Sequence, residues 1–401
     1  MSAFLTGHAT HPDWRMALAL AAAQLGAQIA ARSRSQGAPW QPTLGWLYFT
    51  DHHADEAGAL LADAQVRWPG LALVGSVGVG VMADGVEYFD EPALALMLCA
   101  LPRSDFRLFN GRLPLLPGPL FDPWTAQVHA DPSTPDLGEL ITEAAQRTGS
   151  HYLFGGLASA RTRTVLLADG VFEGGLAGVA FGPEVGLVSR VTQGCQPVGP
   201  ARRVTAAHRN VIETLDGEHA LGRMLADLGI AAHGPTLPAQ RLAGTLVGLT
   251  HPNDSALARG GQFGADTRVR HLVGVDPARQ AIAIADHVDV GSQLTFCRRD
   301  AQAARRDLVR ICTEIRDEVE TGEHVTTETA EPTPSPRMAG AIYISCTGRG
   351  GPHFGSASAE AQTVRHALGD VPFVGFFAAG EVARHHLYGY TGVLTVFLNP
   401  A

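Results

Sequence analysis

The stretch from Ala341 to Phe397 limits most sharply what this chain can fold into. It opens on a β-branched apolar run, Ala341 to Ser345, and breaks at Cys346, Thr347, Gly348, Arg349, Gly350 and Gly351. An alanine-rich segment, Ser358 to Leu368, has the composition of a helix. A second apolar run, Val371 to Phe377, ends at Gly380 and Glu381, and Tyr390, Thr391 and Gly392 lead into a last run to Phe397. Strand, glycine-rich turn, helix and strand make a βαβ unit, whose parallel strands must be largely buried.

The pattern has echoes. Trp46 to Thr50, a helical segment and Pro69 to Gly75 repeat it, and Tyr152 to Gly156, Thr162 to Gly170 and Gly175 to Phe181 form a partial third copy. Duplication of one αβ unit accounts for such repetition. The expected class is α/β, with α+β as the neighbouring alternative: mixed sheets flanked by helices, in two related αβ halves. Ala220, Leu221, Met224, Leu225 and Leu228 fall at helical spacing behind Asp216 and Gly217, which puts the boundary between domains 1–216 and 217–401. Residues 321–337, polar and carrying Pro332, Pro334 and Pro336, read as a flexible loop. Asp300 to Glu320 is the strongest helix, with Ala304, Leu308, Ile311, Ile315 and Val319 on one stripe. Met16 to Ala31, capped by Asp13, is a second amphipathic helix, too short to span a bilayer. Phe106 to Pro123 reads as a surface loop. Runs beginning at His271, Ala281 and Gln293 read as a meander of strands.

A net charge of −9 argues against nucleic acid as a partner, since phosphate neutralisation needs a basic surface. All 30 basic residues are arginine, which excludes a lysine Schiff base and a phosphate-loop lysine. The five cysteines are odd in number, widely spaced and without a CxxC, as expected of reduced thiols in the cytoplasm. No metal site and no membrane partner are expected.

Cys346 stands at the mouth of a strand with Arg349 three residues on. A guanidinium beside a glycine-rich turn that feeds a helix suits an anion, a carboxylate or a phosphate. Glu381, behind Gly380, can hold a ligand ammonium or pair with Arg349, so a ligand with an amine and a carboxylate fits between them. Cys346 with His353 is the alternative, a thiol nucleophile and its base. Gly75, Gly78 and Gly80 lack the order of a dinucleotide-binding turn. The pairs His52–His53 and His385–His386 each offer one ligand at best if extended, and one imidazole is enough to hold a haem iron.

Ile344 to Gly350, Gly375 to Phe377, Gly380–Glu381 and Tyr390 to Gly392 resemble the C-terminal half of the FIST family of intracellular signal-transduction sensors. Arg270 to Asp276, Ala285 to Asp289 and Arg299–Asp300 resemble earlier parts of that half. Leu73 to Tyr88, Phe154 to Gly156 and Gly174 to Phe181 resemble the N-terminal half, and Leu215 to Gly217 with Ala220 the link. The resemblance implies a non-enzymatic, cytoplasmic sensor of small ligands such as amino acids or their derivatives. Some bacterial members resemble haem-based nitric-oxide sensors, so haem is the alternative to having no cofactor. No F-box or kinase segment is seen, which implies a separate signalling protein as partner, with a homodimer as a further arrangement. The expected ligand-binding residues are Cys346, Arg349, Gly350, Gly380, Glu381, Thr391 and Gly156. A thiol-dependent enzyme using Cys346 is the remaining alternative.

Overall fold

The computed structural model describes residues 4–230, 242, 244–252, 267–321 and 337–399. The loop expected at 321–337 lies, except for its ends, outside the described residues. Two compact units are present: Met1–Thr192, Arg305–Leu387 and Thr391–Ala401 form one, and Gln193–Ala304 with Tyr388–Tyr390 form the other. Residue 217 falls within the second unit. The class is mixed α/β, with sheets flanked by helices.

The first unit holds three six-stranded sheets built on one plan. In the first repeat, Leu44–Thr50 and Ala72–Gly78 pair in parallel with the helix Ala57–Arg67 crossing between them. Ala93–Cys99 returns antiparallel beside Leu44–Thr50, and Phe4–Thr10 forms the edge. In the second repeat the parallel pair is Thr125–Ala130 with Leu153–Leu157, crossed by the helix Leu137–Gln146. Leu176–Phe181 returns, and Phe106–Phe109 is the edge. In the third, Arg337–Cys346 pairs with Phe373–Ala378, crossed by Ala359–Leu368. Thr391–Asn399 returns, and Leu187–Gln193 is the edge. The second unit is inserted in the chain after this last edge strand.

Each repeat lends a hairpin to another. Gly80–Ala83, from the first, pairs with Phe373–Ala378 of the third. Leu166–Ala168, from the second, pairs with Ala72–Gly78 of the first. Glu381–Arg384, from the third, pairs with Leu153–Leu157 of the second. The parallel pairs share one more feature, a glycine in the second strand. A Cβ at Gly75, Gly155 or Gly375 would stand 1.8, 1.9 or 1.6 Å from the carbonyl oxygen of Leu47, Val128 or Tyr343. Only a residue without Cβ lets the strands come that close.

Two expectations change here. The partial third copy is complete, but Leu153–Leu157 is its second strand and Thr125–Ala130 its first. Thr125–Ala130 escapes a hydropathy reading because Gln127 and His129 point into the core. There Trp46 Nε1 donates to Gln127 Oε1 at 2.5 Å, Gln127 Nε2 donates to the Tyr48 hydroxyl at 2.8 Å, and that hydroxyl meets His129 Nε2 at 3.1 Å. Burial pushes His129 down to about 3, so this chain of polar groups is neutral. Secondly, Phe106–Phe109 is a strand and not part of a loop. The amphipathic helix near the N-terminus runs Trp14–Gln36, with the Asp13 side chain accepting the Arg15 N–H at 2.9 Å. Among the described residues no helix is long and apolar enough to cross a membrane.

In the second unit six antiparallel strands close into a ring. Gln293–Arg299, Arg202–His208, Val211–Leu215, Ala281–Ile284, Arg268–Asp276 and Thr245–Thr250 pair in turn, and the last returns to the first. The expected meander is therefore broken: Ala281–Ile284 pairs with Arg268–Asp276 but not with Gln293–Arg299. Ile212, Val247, Ile282, Leu294 and Phe296 pack with Leu221 and Met224 of the helix Ala220–Asp227. Ring closure leaves these strands without free edges.

The glycine contacts are directly testable. Gly375→Ala should cost more than about 3 kcal/mol by urea denaturation, since the new methyl meets backbone that cannot move aside. Gly58→Ala, in a helix with nothing within 4 Å of the new Cβ, should be neutral or stabilising by up to about 1 kcal/mol.

Candidate functional site

The site assembles at the carboxyl ends of the third repeat's parallel strands, where ligands of α/β sheets gather. Arg337–Cys346 is buried along nearly its whole length, and its last residues face the helix Ala359–Leu368. Tyr343 and Ser345 alternate to the same side of that strand. The Tyr343 hydroxyl donates to Glu360 Oε1 at 2.6 Å, and the Ser345 hydroxyl donates to the same oxygen at 2.9 Å. Arg349 adds its Nε–H at 2.9 Å and Nη2 at 2.8 Å. One carboxylate oxygen thus takes four contacts, and Gly392 leaves room for the Tyr343 ring, whose hydroxyl would be 2.5 Å from a Cβ there.

Arg349 and Glu360 are each about 1% exposed. The ion-pair partner of Arg349 is therefore Glu360 and not Glu381. The turn spends its amides internally: Arg349 N–H donates to Cys346 O at 2.8 Å and Gly350 N–H to Thr347 O at 3.3 Å. Gly350 packs under Phe89, whose ring would be 2.2 Å from a Cβ. The turn enters a short 3-10 helix, Gly351–Phe354, before Ala359–Leu368 begins, so no helix N-terminus opens at Arg349. The anion cradle expected from amides, dipole and guanidinium together is not what this turn builds.

Glu381 is fully buried. Its Oε2 accepts the Thr391 N–H at 3.1 Å and the Thr391 hydroxyl at 2.5 Å. Burial raises its pKa to about 8, against the lowering effects of Thr391, the Arg349 guanidinium and the Cys346 thiol, which donates to it. Cys346 thus meets the Glu381 carboxyl group, which accepts from its thiol. Gly156 pairs with Glu381 across the exchanged hairpin and packs closely, a Cβ there falling 2.8 Å from Ile344 Cγ2. The Gly380 carbonyl accepts the Leu157 N–H at 2.8 Å. The seven expected residues therefore share one region, with Arg349, Cys346, Glu381 and Thr391 carrying its chemistry and the three glycines its packing.

Sequence reading missed Glu360, Tyr343 and Ser345 as site residues, and also Glu87. Glu87, on the hairpin lent by the first repeat, accepts the Ala361 N–H at 2.8 Å and so caps the helix that carries Glu360. Burial lifts Glu87 to about 7, helped by the nearby Glu360 charge and opposed by the helix amides. The available signal for Glu360 was an acid in the first turn of an alanine-rich helix, which reads as a dipole partner.

Three ionisable groups in this cluster each keep one buried polar atom without a hydrogen-bonding partner. These are Arg349 Nη1, Glu360 Oε2 and, apart from the thiol's weak contact with its carboxylate, Glu381 Oε1. Elsewhere, the His385 and His386 rings lie 3.9 Å apart, because Arg384 takes φ 57° and turns the chain, so the pair does not splay to opposite faces. Among the described residues no three His, Cys, Asp or Glu side chains group as metal ligands.

Arg349→Ala leaves Glu360 as an uncompensated buried charge. It should cost about 3–5 kcal/mol of stability by chemical denaturation, and adding Glu360→Gln should recover part of that loss. Glu381 keeps its proton in the fold up to about 8, against an ordinary 4.5. The folded state binds the extra proton across that window, so this group's contribution to stability falls as pH rises through it. Glu381→Gln should flatten the pH dependence of the denaturation midpoint between those limits, by up to about 1.4 kcal/mol per pH unit.

Similar proteins place the chain. A FIST N domain matches residues 43–218 and a FIST C domain residues 220–384. An uncharacterized protein of Mycobacterium tuberculosis is 34% identical over 409 residues, covering 98% of this chain and 99% of the relative. An uncharacterized protein of Mycobacterium bovis is 31% identical over 408 residues, covering 98% of each. With both domain models matched in order along nearly the whole chain, this protein belongs to the FIST family, whose domains are associated with signal-transduction sensing.

Proposed function

We propose that this protein is a ligand-operated sensor whose ligand is a compact, amino-acid-like metabolite held at the buried cluster of Arg349, Glu360 and Glu381. The observation that carries the reading is the set of three unpartnered atoms on buried ionisable groups. A buried polar atom without a partner costs about 1–3 kcal/mol, more when charged, so three together call for an occupant. Arg349 Nη1 offers donors to a carboxylate. Glu360 Oε2 offers an acceptor to an ammonium group. Glu381 Oε1 takes either role, since its carboxyl titrates near 8. Cys346 and Thr391 border the Glu381 carboxylate, and Gly156, Gly350 and Gly380 bring the surrounding backbone close. A charge-neutral, two-ended ligand satisfies all three atoms without leaving net charge in the interior.

In this reading the protein acts in the cytoplasm, without a required cofactor, and passes its signal to a separate protein. Hairpin exchange supplies the coupling: the strand carrying Glu381 belongs to one repeat and pairs with Gly156 of another, while Glu87 of the first caps the helix of Glu360. A ligand bound there favours whichever arrangement of these repeats completes its contacts.

Native mass spectrometry of freshly purified protein, followed by calorimetric titration with free amino acids and their derivatives, tests the reading. A retained small mass and one saturable site are expected, with Glu381→Gln folded but at least about tenfold weaker. No retained mass and no heat with any such compound overturns it. A Soret band in the purified protein shifts the assignment to haem.

A further inference from the structure

The three repeats differ in one respect that opens a second site. In the first repeat the edge strand is followed by the helix Trp14–Gln36, which lies against Phe4–Thr10 and Ala93–Cys99. In the third, the helix Ala301–Thr321 holds the edge strand through Arg190, which pairs with Glu314 and Glu318. The second repeat has no such helix. Between Phe106–Phe109 and Thr125–Ala130 the chain instead runs through Pro114, Pro117, Pro119 and Pro123, which cannot continue a helix.

Between this proline-rich segment and the strands Phe106–Phe109 and Leu176–Phe181 there is a cavity of about 560 Å³. Its walls are Phe109, Leu113, Leu115, Leu116, Phe121 and Ala180. The loop over it is a built structure. Gly118 and Phe121 exchange backbone hydrogen bonds at 3.0 and 3.1 Å, and the Asn110 side chain accepts the N–H groups of Arg112 and Leu113 at 2.9 and 3.0 Å. Leu113 and Leu116 nonetheless remain 64% and 52% exposed. Arg107 stands at the rim, its guanidinium 5.1 Å from the Phe121 ring centroid and with no carboxylate partner among the described residues. Arg112 lies likewise over Phe172 at 5.9 Å, also without an acidic partner there.

We propose that this cavity binds a single-chain amphipathic anion of the fatty-carboxylate class, its chain between Phe109, Leu115 and Ala180 and its head group at Arg107. The volume lies within the range of about 300–1,000 Å³ common to small-molecule sites. The lining is apolar except for Arg107, and a stacked guanidinium with free N–H groups is a two-pronged partner for a carboxylate. A partner helix is disfavoured, since a helix about 10 Å across needs the space the proline loop holds.

The test is calorimetric titration of the whole protein with decanoate below its micelle-forming concentration, beside neutral decanol. One saturable site for decanoate is expected. Arg107→Gln should weaken decanoate about tenfold and leave decanol unchanged. Leu116→Asp, at a half-exposed position that tolerates it, should abolish decanoate binding with the thermal midpoint retained. Absence of saturable binding, equal decanoate affinity in wild type and Arg107→Gln, or association only with phospholipid vesicles or peptides overturns the proposal.

Discussion

The first unit depends on strand exchange between its repeats. A parallel pair of strands leaves its outer edge with unpaired N–H and C=O groups, and such an edge is a liability unless something covers it. Each second strand here is covered by a hairpin that belongs to another repeat: Gly80–Ala83 on Phe373–Ala378, Leu166–Ala168 on Ala72–Gly78, Glu381–Arg384 on Leu153–Leu157. No repeat completes its own sheet, so none is a domain in the sense of a part that folds alone. The consequence for the site is direct. Its strand comes from the third repeat, its helix cap from the first and its packing glycine, Gly156, from the second.

Charge concentrates where these pieces meet. Arg349 is surrounded by Glu360, which pairs with it, and by Glu381, close enough for each to shift the other. Burying such groups is unfavourable unless partners replace water, and replacing an ion pair with apolar residues is often neutral or better for stability alone. A cluster with donors and acceptors left over is therefore poorly explained by folding stability, and this is the physical ground for the recognition role proposed for it.

What the sequence reveals of this fold follows from what hydropathy can see. Leu44–Thr50 and Phe373–Ala378 read as strands because they are apolar on both faces. Ala301–Thr321 reads as a helix because Ala304, Leu308, Ile311 and Ile315 fall on one buried stripe. Thr125–Ala130 does not read as a strand, because the neutral network of Gln127 and His129 with Trp46 and Tyr48 exists only after two sheets have met. Hairpin exchange is invisible for the same reason: Gly80–Ala83 has the pattern of a strand, and nothing local says whose edge it covers. Cys346, Arg349 and Glu381 were found through the turn and strand end they occupy. Glu360 was not, since its partner lies eleven residues back and the intervening chain has no regular period.

The comparison among repeats explains why the third carries the site. At the end of the first parallel strand, each repeat must satisfy the backbone where the returning strand begins. In the first repeat Thr50 does this itself, its hydroxyl accepting the Ala93 N–H at 2.9 Å. In the second, Asp131 accepts the Gly174 N–H at 2.9 Å. In the third that position is Cys346, a weak acceptor. The Thr391 N–H turns instead to Glu381, which reaches it from the exchanged hairpin. A carboxyl group from another strand is thereby drawn into the interior to do work that Thr50 and Asp131 do from the strand end itself, and only one of its oxygens is used for it. Its other oxygen and Arg349 Nη1 are both left without a hydrogen-bonding partner, the thiol's weak contact aside, and the two groups are near enough to interact electrostatically, so the third repeat departs here from the shared plan.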